Sequence, residues 1–213
     1  MGSQLLEWSE AHALATGSDR VHQTVTDANQ AAHALLQARG YRPGHVAWVL
    51  EIQLGPERPK VNIPPEIDIR PFQRADAADA YRLIEDAFNE WPGRSPPAFE
   101  RWAAHVLDPP AFAPGLSRVA CAGGHRVGGA LNLAYDESPE GWVTQLATKA
   151  THRHRGIARA LLRASFAAFH DTGRRLVCLS TDSRTGALGL YEGAGMRIRS
   201  SYTARSKLLA PQS

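Results

Sequence analysis

The chain has 213 residues, with 24 Lys+Arg against 21 Asp+Glu, 43% hydrophobic residues and two cysteines. That length buries a full core without disulfide or metal staples, and the composition excludes wholesale disorder and collagen-like repeats. No uncharged apolar run approaches the ~20 residues that span a bilayer; no basic-then-apolar leader opens the chain, and a formal charge of +3 is too small by itself to imply nucleic acid. Cys121 and Cys178 lie far apart in apolar runs and read as reduced thiols of a cytoplasmic protein.

The first boundary is the proline-rich stretch Gly55–Pro65, which separates residues 1–60 from residues 61–213. Beyond it, Glu66–Arg70 alternates as a strand, and Ala75–Trp91 spaces Ala80, Leu83, Ala87 and Phe88 as an amphipathic helix. Ser95 and two prolines introduce a second helix over Ser95–Val106. Arg118–Ala122 and Val127–Ala134 read as strands joined by the turn Gly123–Arg126, and Trp142–Thr148 as another strand. A long helix runs from Gly156 to about His170 and stops at Thr172–Gly173. A strand over Arg175–Thr181, a helix over Thr185–Ala194 and a final pair of strands over Met196–Leu209 complete the chain. This order predicts an α+β (mixed α/β) fold, a mixed sheet with helices on both faces.

The segment Arg153-His154-Arg155-Gly156-Ile157-Ala158 sits between a strand and a helix. A helix start exposes unpaired N–H groups and the positive end of the helix dipole, so it suits a phosphate. Gly156 lets the backbone approach a pyrophosphate, and Ala158 keeps the next turn small. No Gly-Lys-Ser/Thr follows and only one glycine is present, so neither a Walker loop nor a dinucleotide fingerprint is formed. Arg155, Arg159 and Arg163 recur every four residues; this ladder reads as a solvated face or, with less support, as a nucleic-acid patch. His152 and His154 have poor spacing for a metal and no carboxylate or thiol nearby.

These residues resemble the signature of the GNAT superfamily of acyl-CoA-dependent N-acetyltransferases, Arg/Gln-x-x-Gly-x-Gly/Ala, at Arg153, Gly156 and Ala158. Downstream, Thr185-Gly186-Ala187-Leu188-Gly189-Leu190-Tyr191-Glu192 and Gly195-Met196 are similar to the family's Ala-x-x-Leu-Tyr-Glu-x-x-Gly-Phe segment. The resemblance spans about Ile67–Leu209, and the wording of Asp182–Met196 looks most like mycothiol-synthase-type bacterial double-domain acetyltransferases. It implies a GNAT fold whose fourth and fifth strands splay apart. Leu146, Ala147 and Thr148 would then meet the pantetheine arm of acetyl-CoA, and Arg153, His154, Arg155, Gly156, Ile157 and Ala158 its pyrophosphate. A backbone N–H near Leu146 would polarise the thioester carbonyl. A neutral amine of a small molecule would attack directly, and Tyr191 would protonate the departing thiolate; on spacing alone Tyr191 shares a core face with Ala187, Leu190 and Ala194. Arg184 stands where the family often has asparagine. Glu85, Asp86 and Glu90 are candidate bases but read more readily as solvated carboxylates, and Trp91 and Tyr135 as acceptor-pocket or ordinary aromatics.

An internal repeat appears at an offset of 155 residues. Asn29–Leu36 and Gly40-Tyr41 run without gaps against Arg184–Met196, and Met1-Gly2-Ser3 falls on Gly156-Ile157-Ala158. Residues 1–60 therefore read as the back half of another such domain, with Leu36 where Tyr191 would be, and residues 61–213 as a complete one. The reading is an N-acetyltransferase with one acetyl-CoA per chain and no metal. The alternatives are a non-catalytic acyl-CoA-binding module and a basic nucleic-acid-associated protein. Uncovered apolar positions such as Leu5, Leu6, Leu35 and Leu36 make a homodimer an expectation.

Overall fold

The computed structural model describes residues 2–89 and 95–209. Glu90 and Trp91 lie outside the described residues. The elements are α1 (Gly2–Ala15), β1 (Arg20–Thr26), α2 (Gln30–Ala38), β2 (Arg42–Gln53), β3 (Ile67–Pro71), α3 (Ala77–Phe88), α4 (Phe99–Val106), β4 (Arg118–Ala122), β5 (His125–Ala134), β6 (Glu140–Thr148), α5 (Ile157–Asp171), β7 (Leu176–Asp182), α6 (Leu188–Gly193) and β8 (Arg197–Leu208). The expected mixed α/β architecture is present, and residues 54–66 contain neither helix nor strand.

One expectation is corrected. Met196–Leu209 holds a single twelve-residue strand, β8, instead of a pair. No Gly, Pro, Asn or Asp falls within Arg197–Leu208 to turn the chain, so it stays extended.

The chain divides into two compact units. The larger comprises Leu50–Ser180 and Gly189–Arg197; the smaller comprises the described residues up to Val49, Thr181–Leu188 and those from Ile198 on. The division falls within β2, β7, α6 and β8, so each of these elements gives residues to both units.

In the larger unit the strands lie in the order β7-β6-β5-β4-β3. β3, β4, β5 and β6 pair antiparallel in succession, and β6 pairs parallel with β7. Side chains alternate across β5. A Cβ at Gly128 would stand 2.8 Å from Leu161 of α5, and the Asn132 amide donates to Ser165 of α5 at 3.0 Å. Leu131, between them in the pleat, packs with Ile84 of α3 and Trp102 of α4. Helices therefore cover both faces of this sheet. Gly141 has no side chain because Phe169 fills that space: a Cβ would come within 2.5 Å of its ring.

The start of α3 is tied down by a buried carboxylate. Asp76, 1% exposed, accepts two bonds of 2.7 Å from Arg70, one of 3.0 Å from Arg126 and one of 2.9 Å from the Gln73 N–H. The Arg70 guanidinium, chiefly, holds the Asp76 pKa down to about 2 against the opposing effect of burial.

In the smaller unit the strand order is β1-β8-β2. β1 pairs antiparallel with β8 from Arg20↔Leu208 to Thr26↔Tyr202. The core is Leu6, Val21, Leu36, Tyr41 and Leu209. Burial, with the nearby Glu10 carboxylate, pushes the Tyr41 phenol up to about 12. Asp27 accepts from the Ser201 and Thr203 hydroxyls, the latter at 2.6 Å.

Candidate active site

β6 and β7 are paired over only four residues, from Glu140↔Leu176 to Val143↔Leu179. β6 then continues through Thr148 with no pairing on that side among the described residues. The cause lies on its other edge. Leu131 pairs with Gln145 but Asn132 pairs with Val143, so Thr144 is an extra residue, a β-bulge in β6. The bulge re-aims the strand where the pairing with β7 ends. Thr144 and Ser180, both in strands, are exposed there, as expected at the mouth of an opening.

The free backbone groups can be assigned by alternation. The Lys149 N–H donates to Val127 of β5 at 2.9 Å. Successive N–H groups of a strand point to opposite sides, so those of Leu146 and Thr148 point away from β5, toward the opened side, and that of Ala147 points to β5. The Thr148 carbonyl accepts from the Arg153 Nε at 3.2 Å, which secures the loop to the strand end.

The loop beyond turns sharply through two left-handed residues, His154 at φ 61° and Gly156 at φ 81°. Glycine alone takes that conformation without strain, and it lets α5 begin directly at Ile157. Ile157, 1% exposed, buries its side chain against β5 and anchors the first turn. His154, Arg155 and Gly156 are exposed and Ala158 is half-buried. The first N–H groups of this fifteen-residue helix lack intrahelical acceptors and carry its positive dipole end, a ready anion site. From the arginine ladder, Arg159 leans toward α6: a Cβ on Gly193 would stand 3.2 Å from its Nη2.

Tyr191 is 8% exposed, on α6. Its backbone is held by the helix end. Gly195, at φ 91°, donates to Glu192 at 2.8 Å, and Met196 donates to the Tyr191 carbonyl at 3.1 Å. This is a Schellman motif with glycine in its left-handed position. Arg184, in the smaller unit, forms an ion pair with Asp182 at 2.6 Å.

One expectation about the acceptor side changes. Glu85 is not solvated: it is 4% exposed on α3, because it lies on the buried side with Leu83 and Ile84. Asp86 is exposed, and Tyr135 is 47% exposed. Sequence reading missed the bulge at Thr144. Its one signal is the polar pair Thr144-Gln145, which breaks the alternation of an otherwise apolar strand.

A family model described as "Acetyltransferase (GNAT) family" matches residues 77–196. Among solved structures, a GCN5-related N-acetyltransferase from Sphaerobacter thermophilus is 31% identical with a TM-score of 0.86, over 100% of this chain and 69% of that one. A tandem GNAT protein from the clavulanic acid biosynthesis pathway shares the fold at 13% identity and a TM-score of 0.72, over 100% of this chain and 71% of that one. A GCN5-related N-acetyltransferase from Kribbella flavida does so at 16% and 0.63, over 95% and 73%. A search of curated proteins found no match.

Proposed function

The chain belongs to the GNAT family of acetyltransferases, and from that premise we propose that it transfers acetyl from acetyl-CoA to the primary amine of a small molecule. The observation that carries this reading is the parting of β6 from β7 beside the left-handed loop at Gly156. The opened edge offers the N–H groups of Leu146 and Thr148 to an extended amide-bearing arm, as a neighbouring strand would use them. The start of α5 suits a pyrophosphate, with Gly156 and Ala158 keeping side chains out of its way and Arg159 adding a cation.

Chemically, the amine nitrogen bonds to the thioester carbonyl carbon and the carbon–sulfur bond breaks. Negative charge develops on the carbonyl oxygen, which the Leu146 N–H is suited to stabilise. The departing thiolate takes a proton from the Tyr191 hydroxyl, and the amine gives one up to solvent or a base. Thiol release on an amine panel tests the reading. Tyr191→Phe is expected to lower turnover roughly 10²–10⁴-fold, the worth of a positioned acid, with acetyl-CoA affinity nearly unchanged by calorimetry. Equal turnover would remove Tyr191 from the mechanism, and acetyl-CoA binding without thiol release from any amine would leave a binding module.

In the same reading, residues 1–60 are a degenerate half-repeat that binds no acetyl-CoA, so the stoichiometry is one per chain. Element spacing supports this: β2 and β8 begin and end 155 residues apart, at Arg42–Gln53 and Arg197–Leu208. Exposed Leu5 and Trp8 on α1 favour a second copy as partner. The two free cysteines suit the reducing cytoplasm, and no helix among the described residues is long and apolar enough to cross a membrane.

A further inference from the structure

Within the larger unit a cleft of about 450 Å³ opens between α3, the β4–β5 turn and the segment Thr148–Arg153. That volume is in the range of small-molecule sites. Its charge is lopsided: Arg82, Arg126, Lys149 and Arg153 line it against only Asp79 and Asp86, with His125 at its edge. Asp79 is already engaged, 3.5 Å from Arg126 and 3.4 Å from Arg82. Arg126 is fixed in place by the buried Asp76. Lys149 and His125 are exposed, and neither side chain has a polar partner among the described residues.

We propose that this cleft takes a small anionic group, a phosphate or a carboxylate, carried by the acceptor amine; the inference rests on the acetyltransferase reading above. Lys149 supplies the unpaired ammonium. Lys149 lies three residues from Leu146, about 10 Å along the strand, part of which its own four-carbon side chain covers. A short amine bearing a terminal anion spans that distance, and larger polymers are not required.

The test compares matched acceptors, phosphoethanolamine against ethanolamine and β-alanine against propylamine, in the wild type and in Lys149→Ala. Lys149 is exposed, so the variant should fold. The wild type is expected to favour the anionic member of a pair about tenfold or more in kcat/KM, the worth of one charge-assisted bond. Lys149→Ala should erase that preference through the acceptor KM and leave the KM for acetyl-CoA unchanged. An active enzyme indifferent to the anion overturns the proposal. So does a Lys149→Ala effect on the KM for acetyl-CoA but not for its 3′-dephospho form, which would give the cleft to the donor. If no amine releases thiol, the acetyltransferase reading has failed separately. Inorganic phosphate titrated by NMR then decides the cleft: saturable shifts at Thr148–Thr151 that vanish in Lys149→Ala uphold it, and equal weak shifts in both proteins overturn it.

Discussion

Two helix ends in this molecule share one backbone design and differ in what they carry. At the end of α6, Gly195 and Met196 donate to Glu192 and Tyr191. At the end of α2, 155 residues earlier, Gly40 and Tyr41 donate to Gln37 and Leu36 at 3.0 and 2.9 Å, with Gly40 at φ 82°. The glycine does the same work twice, yet one helix presents a phenol at the key position and the other a leucine. The helices ahead of them diverge further. α5 buries ten of its fifteen residues against the strands of the larger unit, whereas α1, of fourteen residues, buries only Leu6 and exposes Leu5 and Trp8 at 60% and 65%. Local hydrogen bonding thus sets a helix and its stop, and the sheet beneath decides whether the helix becomes core.

That contrast can be broken by mutation. The largest stability loss is expected for Phe166→Ala on α5, where the side chain is 0% exposed: about 3–5 kcal/mol by urea denaturation. Next is Asp76→Asn, at about 2–3 kcal/mol, because two arginines lose a buried partner. Its folded pKa of about 2 lies below the ordinary 3.8. The wild-type contribution, about 2 kcal/mol from that shift, is therefore complete above roughly pH 4 and disappears as pH falls through 2. In Asp76→Asn this part of the acid limb should be missing; an unchanged acid profile would show that the ion pairs are not stabilising. Gly40→Ala and Gly195→Ala should each cost about 1 kcal/mol from the left-handed backbone, and only the second should also slow acetyl transfer. Unequal costs would mean that the two helix ends are alike in form but not in strain. The smallest change belongs to Trp8→Ala on α1, within about 0.5 kcal/mol when the protein is too dilute to self-associate; a loss that grows with protein concentration is expected if a second copy covers α1, and a loss independent of concentration would count against that partner.

Several features were legible because their causes are local. Thr172–Gly173 stopping α5 and Gly195 ending α6 depend on bonds between residues a few positions apart. So does the loop at Arg153–Ala158 between strand and helix, although the left-handed turn at His154 and Gly156 was seen only in the structure. The bulge at Thr144 was not legible, since it exists only in the register between β5 and β6. The burial of Glu85 was missed for a related reason: nearby carboxylates on α3 look alike in sequence, and only packing separates Glu85 at 4% exposed from an exposed Asp86.

By itself, then, the amino-acid sequence determined where most helices and strands fall, where their glycine stops lie, and that a strand leads through a tight turn at Gly156 into α5. Tertiary structure alone decided that β6 leaves β7 after Val143, that β1 pairs with β8, and that Glu85 is buried. The division has one physical reason. Caps and turns are satisfied by neighbours along the chain, whereas strand register and burial are set by residues far away in sequence, whose pairing no local pattern records.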